Sequence, residues 1–340
     1  MSSSKPLVLL KPEPQLRDRI FTAETLARLN TAFEVIDYEA NPDDADFQRR
    51  LPEAFAVVGQ PALDTAALEA ATNLHAIVNV EGNFFPNVDY ATAFRNGVRV
   101  LGCGTAYSQA VAEYSVGLAL DIARSITRED RAARSGSEGL VSESTGDSIL
   151  LRRASVGLVG FGNLGRATKA LLEPFDNTVR VFDPWLPTAI LEDAGVIPST
   201  LEETLSQSTF VFVFATATAE SEHLLNAEML SLLPDGARLI LVSRAAVVDY
   251  DALYERLATG TLHAAIDVWP VEPIPADSPF RGLDNVVISA HRAGGIPEAF
   301  ESIGEMVCDD LELMKNGLPP ARMQLAAPEL VGRYRNKPVG

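Results

Sequence analysis

The chain has 340 residues, 47% of them hydrophobic, with a formal net charge of −18 and a pI of about 4.6. That is enough apolar material for a normal core, and the length suggests two domains. The acidity works against nucleic-acid phosphates and anionic membranes as partners, although a local cationic group can still receive a small anionic substrate.

The opening "MSSSKPLVLLKPEP" holds only a short apolar run. It therefore reads as a first strand rather than a signal sequence. No run approaches the roughly 18 apolar residues of a membrane helix. Strands are expected at Pro6–Leu10, Phe33–Asp37, Phe55–Gly59, His75–Val80 and Val98–Leu101. Helical stretches such as Ala23–Thr31, Asp64–Ala71 and Val88–Asn96 lie between them. This alternation implies a parallel sheet with crossover helices. Cys103 and Cys308 are the only cysteines. They are too few for a disulfide framework, read as small apolar fillers, and fit a reducing cytosol.

From Gln109 to about Arg128, Val111, Ser115, Leu118 and Ile122 recur at three- and four-residue intervals, the period of an amphipathic helix. "RAARSGSEGLVSESTGDS" then reads as a loop or extended arm. A second alternating block follows, with strands expected at Ser155–Gly160, Thr178–Asp183, Thr209–Phe214, Ala237–Val242, His263–Ile266 and Asn285–Ser289. About six strands with helices between them is the content of a Rossmann-type doubly wound parallel sheet. A last helix, about Pro297–Asn316, would cross back onto the first domain, and the tail "GRYRNKPVG" is expected to be loose.

The strand "ASVGLV" runs into Gly160-Phe161-Gly162-Asn163-Leu164-Gly165, and a helical stretch follows. G-x-G-x-x-G alone is weak, but between a strand and a helix it acquires meaning. Gly160 would allow the tight turn, Gly162 the approach of a pyrophosphate, and Gly165 close packing of helix on strand. The helix N-terminus would present free N–H groups to the phosphates. Asp183 ends the next strand about 20 residues on, where a carboxylate takes hydrogen bonds from the adenosine ribose. No arginine follows Asp183 closely, which points to NAD rather than NADP. No metal cluster is expected.

Arg244 follows "ARLILVS", Glu272 lies in "AAIDVWPVEP" and His291 follows "NVVISA", all at strand ends. Ligands of open α/β sheets bind at those ends, so the three can converge near a nicotinamide. Oxidising a secondary alcohol removes a hydride from carbon and a proton from oxygen. A neutral imidazole can take the proton, a carboxylate beside it can fix its tautomer, and a guanidinium can hold a substrate carboxylate. Each residue alone is more often structural or solvated, and His75, His223 and His263 keep that reading. The set together is what carries weight.

The sequence resembles the D-isomer-specific 2-hydroxyacid dehydrogenases over roughly residues 50 to 317. The resemblance rests on "AVAEYSVGLALDIAR", "VGLVGFGNLGR", "RVFDPW", "LILVSRAAVVDYDAL", "HAAIDVWPVEPIP" and "NVVISAHRAGG" in this order. It implies Arg244 as substrate binder, Glu272 as support of the base and His291 as acid/base. It implies cofactor contacts at the glycine loop, Asn163, Leu164, Asp183, Thr216, Val242, Arg244, Asp267 and His291, with Asp267 toward the nicotinamide carboxamide. Substrate contacts are implied at Val80, Glu81, Gly82 and Asn83, together with Arg244 and His291. A smaller flavodoxin-like α/β substrate domain is implied from residues 1–108 and 297–340, beside an NAD-binding domain over 109–296. A homodimer held largely through residues 110–150 is implied as well.

The chain departs from the family pattern in places. The usual substrate loop G-V-G-x-D-N-I-D is here "NVEGNFFPNVDY", with Glu81 and the bulkier Phe84-Phe85 pair, which would either line the pocket or pack the core. Phe214-Ala215-Thr216 replaces a frequent His-x-Pro, and Ala245 stands where glycine is common. The chain ends too soon for the regulatory domain of some 3-phosphoglycerate dehydrogenases. Its lysines are Lys5, Lys11, Lys169, Lys315 and Lys337, and no basic cluster adjoins the "VEGN" loop, so phosphate recognition has no positive support. The function expected is a cytoplasmic NAD-dependent dehydrogenase of a small D-2-hydroxy acid. The alternatives are a dehydrogenase of a sugar-derived or phosphorylated acid, and a corepressor-like NAD-responsive scaffold, since fold does not fix function.

Overall fold

The computed structural model describes residues 5–82, 84–139 and 147–332. The chain divides into two compact units, Met1–Tyr107 with Gly295–Gly340, and Ser108–Gly294.

The first unit is built on β1 (Leu7–Lys11), β2 (Glu34–Asp37), β3 (Ala54–Gly59), β4 (Ala76–Asn79) and β5 (Arg99–Gly102). Their order is β5-β4-β3-β1-β2, all parallel, with a short antiparallel strand Gln324–Leu325 on the β5 edge. In strand numbering from the other edge this is 2-1-3-4-5, the flavodoxin-like order. The period of two explains the two core layers. Val8 and Leu10 face Leu29 and Phe33 together with Ile303, Val307 and Leu311 of the helix Pro297–Lys315. Leu7 and Leu9 face Phe47, Leu51, Leu68 and Phe84 on the other side. Both cysteines are buried free thiols in the first layer, and burial pushes the Cys308 thiol up to about 12.

The second unit carries β6 (Ser155–Val159), β7 (Thr178–Phe182), β8 (Ile197–Pro198), β9 (Phe210–Val213), β10 (Arg238–Leu241), β11 (His263–Ile266) and β12 (Val286–Ile288). The sheet is parallel throughout, in the order β12-β11-β10-β9-β6-β7-β8. It is a doubly wound sheet whose order reverses between β6 and β9. The helix Ser108–Arg124 buries Val111, Ser115, Leu118 and Ile122, the stripe that its sequence period marks.

Three expectations need correction. The helical pattern taken to about Arg128 breaks at Ser125, which adopts a left-handed conformation (φ 54°). A new helix, Ile126–Ser135, then takes in the first five residues of "RAARSGSEGLVSESTGDS", read above as loop. This helix buries no residue. Arg134 bonds Asp130 one turn back, and Gly136 closes the helix in the left-handed conformation. Of the remaining arm, residues 140–146 lie outside the described residues, as do 333–340 of the tail. The sheet also has seven strands rather than about six, because β8 adds a two-residue edge.

Candidate active site

The sheet of the second unit places the candidate residues at one edge. Each follows the carboxyl end of a strand: the glycine loop after β6, Asp183 after β7, Thr216 after β9, Val242 and Arg244 after β10, Asp267 and Glu272 after β11, and His291 after β12.

The glycines divide the work. Gly160 has φ +98°, and a Cβ there would lie 3.0 Å from the main chain of Phe214 and Ala215. Gly165 lies so close that a Cβ would meet the Gly160 carbonyl oxygen at 2.5 Å. Gly162 opens the helix Asn163–Leu172, has no side-chain cap, and would meet nothing within 4 Å. Its open side leaves the first-turn N–H groups, Asn163, Leu164 and Gly165 among them, for an anion. Asp183 fixes the loop from the next strand. Its Oδ2 accepts from the Phe161 N–H at 2.8 Å, and its Oδ1 accepts from Trp185 and Leu186 at 3.0 and 3.2 Å. A carboxylate has about four acceptor positions, so it retains capacity for a ribose diol. An open anion cradle with an acid at the next strand end fits the pyrophosphate and ribose of NAD. Thr216 begins a turn in which its carbonyl accepts from Ser221 Oγ at 2.6 Å. Val242 is buried, 4% exposed.

At the other end of the edge, Glu272 and His291 are in contact. Glu272 Oε2 lies 2.8 Å from His291 Nδ1. A carboxylate can only accept, so Nδ1 carries the proton of this bond and Nε2 is the nitrogen left for other chemistry. Glu272 Oε1 accepts from the Trp269 N–H at 2.9 Å, which fixes the carboxylate from its second oxygen. The Trp269 indole N–H donates to the Ser289 carbonyl at 2.7 Å and so ties the exit of β11 to the exit of β12. Trp269 is itself wedged against Tyr250 and Phe280. His291 and Glu272 stay open to solvent, at 45% and 37% side-chain exposure.

Asp267 is fully buried, which sequence reasoning did not anticipate. Its carboxylate accepts from Arg292 N–H at 2.8 Å and Ala293 N–H at 3.0 Å, while its carbonyl accepts from His291 N–H at 2.7 Å. These three bonds hold His291 at φ +53°, a left-handed conformation that costs about 1–2 kcal/mol in an L-residue. In this structure the Asp267 carboxylate holds the histidine loop. Arg244 donates from Nη1 to its neighbour's carbonyl, Ser243 O, at 2.7 Å.

In the first unit, Val80, Glu81 and Gly82 follow β4, and Asn83 lies outside the described residues. Val80 is buried. The Glu81 N–H already donates to Gln60 Oε1 at 3.0 Å, so that donor is occupied. Phe84 and Phe85 are buried, at 4% and 8% exposure, and Phe84 packs in the core against Gly102.

Comparison with known proteins identifies the family. The family model described as D-isomer specific 2-hydroxyacid dehydrogenase, NAD binding domain, matches residues 116–293, more than half of the chain. The chain belongs to the D-isomer-specific 2-hydroxyacid dehydrogenases. NAD is the cofactor of this family's binding domain and of this chain. A phosphoglycerate oxidoreductase from Rhizobium etli is 40% identical, with a TM-score of 0.86 over 95% of this chain and 99% of that one. A hydroxypyruvate reductase from Thermotoga maritima is 31% identical over 76% of this chain and 84% of its own length. A D-3-phosphoglycerate dehydrogenase from Archaeoglobus fulgidus is 30% identical over 78% of this chain, which spans only 50% of that relative's length. Among the described residues no helix is long and apolar enough to cross a membrane.

Proposed function

We propose that the protein interconverts a small D-2-hydroxy acid and its 2-oxo acid, with His291 as the acid/base. The observation that carries this reading is the 2.8 Å contact between Glu272 Oε2 and His291 Nδ1, which leaves Nε2 for the substrate. In oxidation the C2 hydroxyl gives its proton to Nε2. Glu272 holds the ring in that tautomer and stabilises the imidazolium that results. Arg244, whose guanidinium stays charged, takes the substrate carboxylate or polarises the C2 oxygen. Bound NAD supplies the acceptor for the hydride leaving C2. The loop at Val80, Gly82 and Asn83 contributes the further substrate contacts, without the occupied Glu81 N–H.

The test is NADH oxidation by the purified protein against glyoxylate, hydroxypyruvate, phenylpyruvate and sugar-derived 2-oxo acids, with NADPH controls. His291→Ala should lose on the order of 10²–10⁴ in kcat while NADH still binds. Undiminished turnover in that variant would remove the assignment.

The name of the Rhizobium etli structure favours a second reading, a phosphorylated hydroxy acid. A stoichiometric protein partner combined with no turnover would instead favour a scaffold. A homodimer through the 110–150 region is part of the proposal. Ile126 and Leu150 in this region are large apolar side chains left 56% and 68% exposed. Light scattering of the purified protein checks it. Two free buried thiols agree with a cytoplasmic setting.

A further inference from the structure

The reading above leaves open what the acid carries beyond C2. We propose that the Gln60–Glu81 pair selects acids whose remaining carbon chain bears hydrogen-bond donors, hydroxyl groups above all, and works against a phosphate there. This rests on the proposed dehydrogenase function and on the assignment of the loop after β4 to the substrate.

β3 and β4 are neighbours in parallel register, Val57 beside Ile77 and Val58 beside Val78. Gln60 and Glu81 therefore leave the sheet side by side at its carboxyl edge. The Gln60 side-chain amide grips Glu81 at two points. Its Oε1 accepts from the Glu81 main-chain N–H at 3.0 Å, and its Nε2 donates to Glu81 Oε2 at 3.3 Å. From the far side, the Cys103 N–H is shared by the Asn79 and Glu81 carbonyls at 3.2 and 3.1 Å. Gly104 closes on Gly82 so tightly that a Cβ would meet the Gly82 carbonyl oxygen at 2.8 Å. The loop main chain is thus fixed, and the carboxylate is held to it instead of swinging freely into water.

Three chemical consequences follow. The Glu81 N–H is spent on Gln60 and is not offered to an anion. The carboxylate is an acceptor only, and among the described residues its Oε1 has no partner, so it can take a donor from a ligand. No described ion pair neutralises it: Lys11 at the end of β1 pairs with Asp44 at 2.6 Å, and Arg17 pairs with Asp18 and Asp37. Arg19 lies over the Phe300 ring at 3.6 Å and reaches Gln15. A phosphate close to Glu81 would meet a fixed like charge, whereas a hydroxyl would find an acceptor.

The experiment compares kcat/KM for hydroxypyruvate and for its phosphorylated counterpart, phosphohydroxypyruvate, with NADH. The wild type should favour the hydroxyl form by about tenfold or more. Glu81→Gln, which keeps shape and removes charge, should shrink that ratio by about tenfold, through KM rather than kcat. Gln60→Ala, which releases the carboxylate, should move the ratio the same way by less, and thermal melts of both variants check their folding. A wild type that prefers the phosphorylated acid, or a Glu81→Gln ratio equal to the wild type's, overturns the inference. Glyoxylate, which has no further carbon, separates the two readings. Turnover of glyoxylate with an unmoved ratio sinks only the selectivity, whereas no turnover of any acid despite NADH binding sinks the dehydrogenase function and the selectivity with it.

Discussion

Two histidines mark the two edges of the second unit's sheet, and they live under opposite conditions. His263 opens β11 at its amino end, and His291 follows β12 at its carboxyl end. His263 is buried at 8% exposure, and burial, reinforced by the Arg238 charge, holds its imidazole below the usual histidine range. Arg238 is equally enclosed, with its guanidinium on the Gly236 and Asp147 carbonyls. His291 is open to solvent and has a carboxylate on one nitrogen. The same side chain is enclosed at one edge and open to solvent, with a carboxylate partner, at the other. The difference lies in where the strand ends point, since loops at the carboxyl edge diverge and leave room for a ligand.

The comparison breaks most sharply through His291→Ala, for which the loss predicted above is the largest of the series. Next is Glu272→Gln. The glutamine has one accepting oxygen where His291 Nδ1 and the Trp269 N–H present two donors, so one bond is lost, and it carries no charge to stabilise an imidazolium. A kcat loss on the order of 10² is expected, with KM little changed. A variant that keeps full turnover would reduce Glu272 to a surface acid and leave the edge with an unsupported histidine.

This contrast was partly legible in the sequence, for a physical reason. Strands buried on both faces are continuous apolar runs, so β6, β9 and β10 stand out, and the residues at their ends can be read off. The helix Ile126–Ser135 is strongly polar and has no buried side chain, so its sequence reads as loop, and the two-residue β8 contains a proline. Glu272 and His291 could be picked out because both stand at strand ends. Asp267 also stands at one, but nothing in the residue order says that its carboxylate turns inward onto two N–H groups. Gln60 was invisible as Glu81's partner, since their bond spans 21 residues and depends on the pairing of β3 with β4.

The glycine loop sharpens the account of the carboxyl edge by separating fold from ligand. Gly162→Ala adds a methyl to open space at φ −71°, so the protein should fold as before while NAD Kd rises about tenfold or more. Gly165→Ala drives a methyl against the Gly160 carbonyl and should cost about 1–3 kcal/mol of stability, read by thermal unfolding without ligand. Equal melting losses in both variants would mean that Gly162 serves packing too. Asp267→Asn should come close behind. An asparagine has one accepting oxygen where Arg292 and Ala293 present two donors, so one bond is lost at about 1–3 kcal/mol. If Asp267 positions His291, kcat falls along with the melting temperature while NADH affinity changes less.

The smallest expected effect belongs to the amino edge. Because the folded protein holds the His263 pKa below its ordinary value, the unfolded chain takes up a proton first as the pH falls. The stability due to the neutral imidazole is therefore complete above about pH 6.5, the unfolded histidine range, and drains away as the pH drops through the folded value. His263→Gln cannot titrate there. Its melting temperature should decline less steeply than that of the wild type on going from neutral to mildly acidic buffer, and catalysis at neutral pH should be retained, since this residue lies at the sheet edge opposite the candidate active site. Parallel declines would mean that His263 finds a way to carry its charge despite Arg238, and the two histidines would then differ in exposure alone.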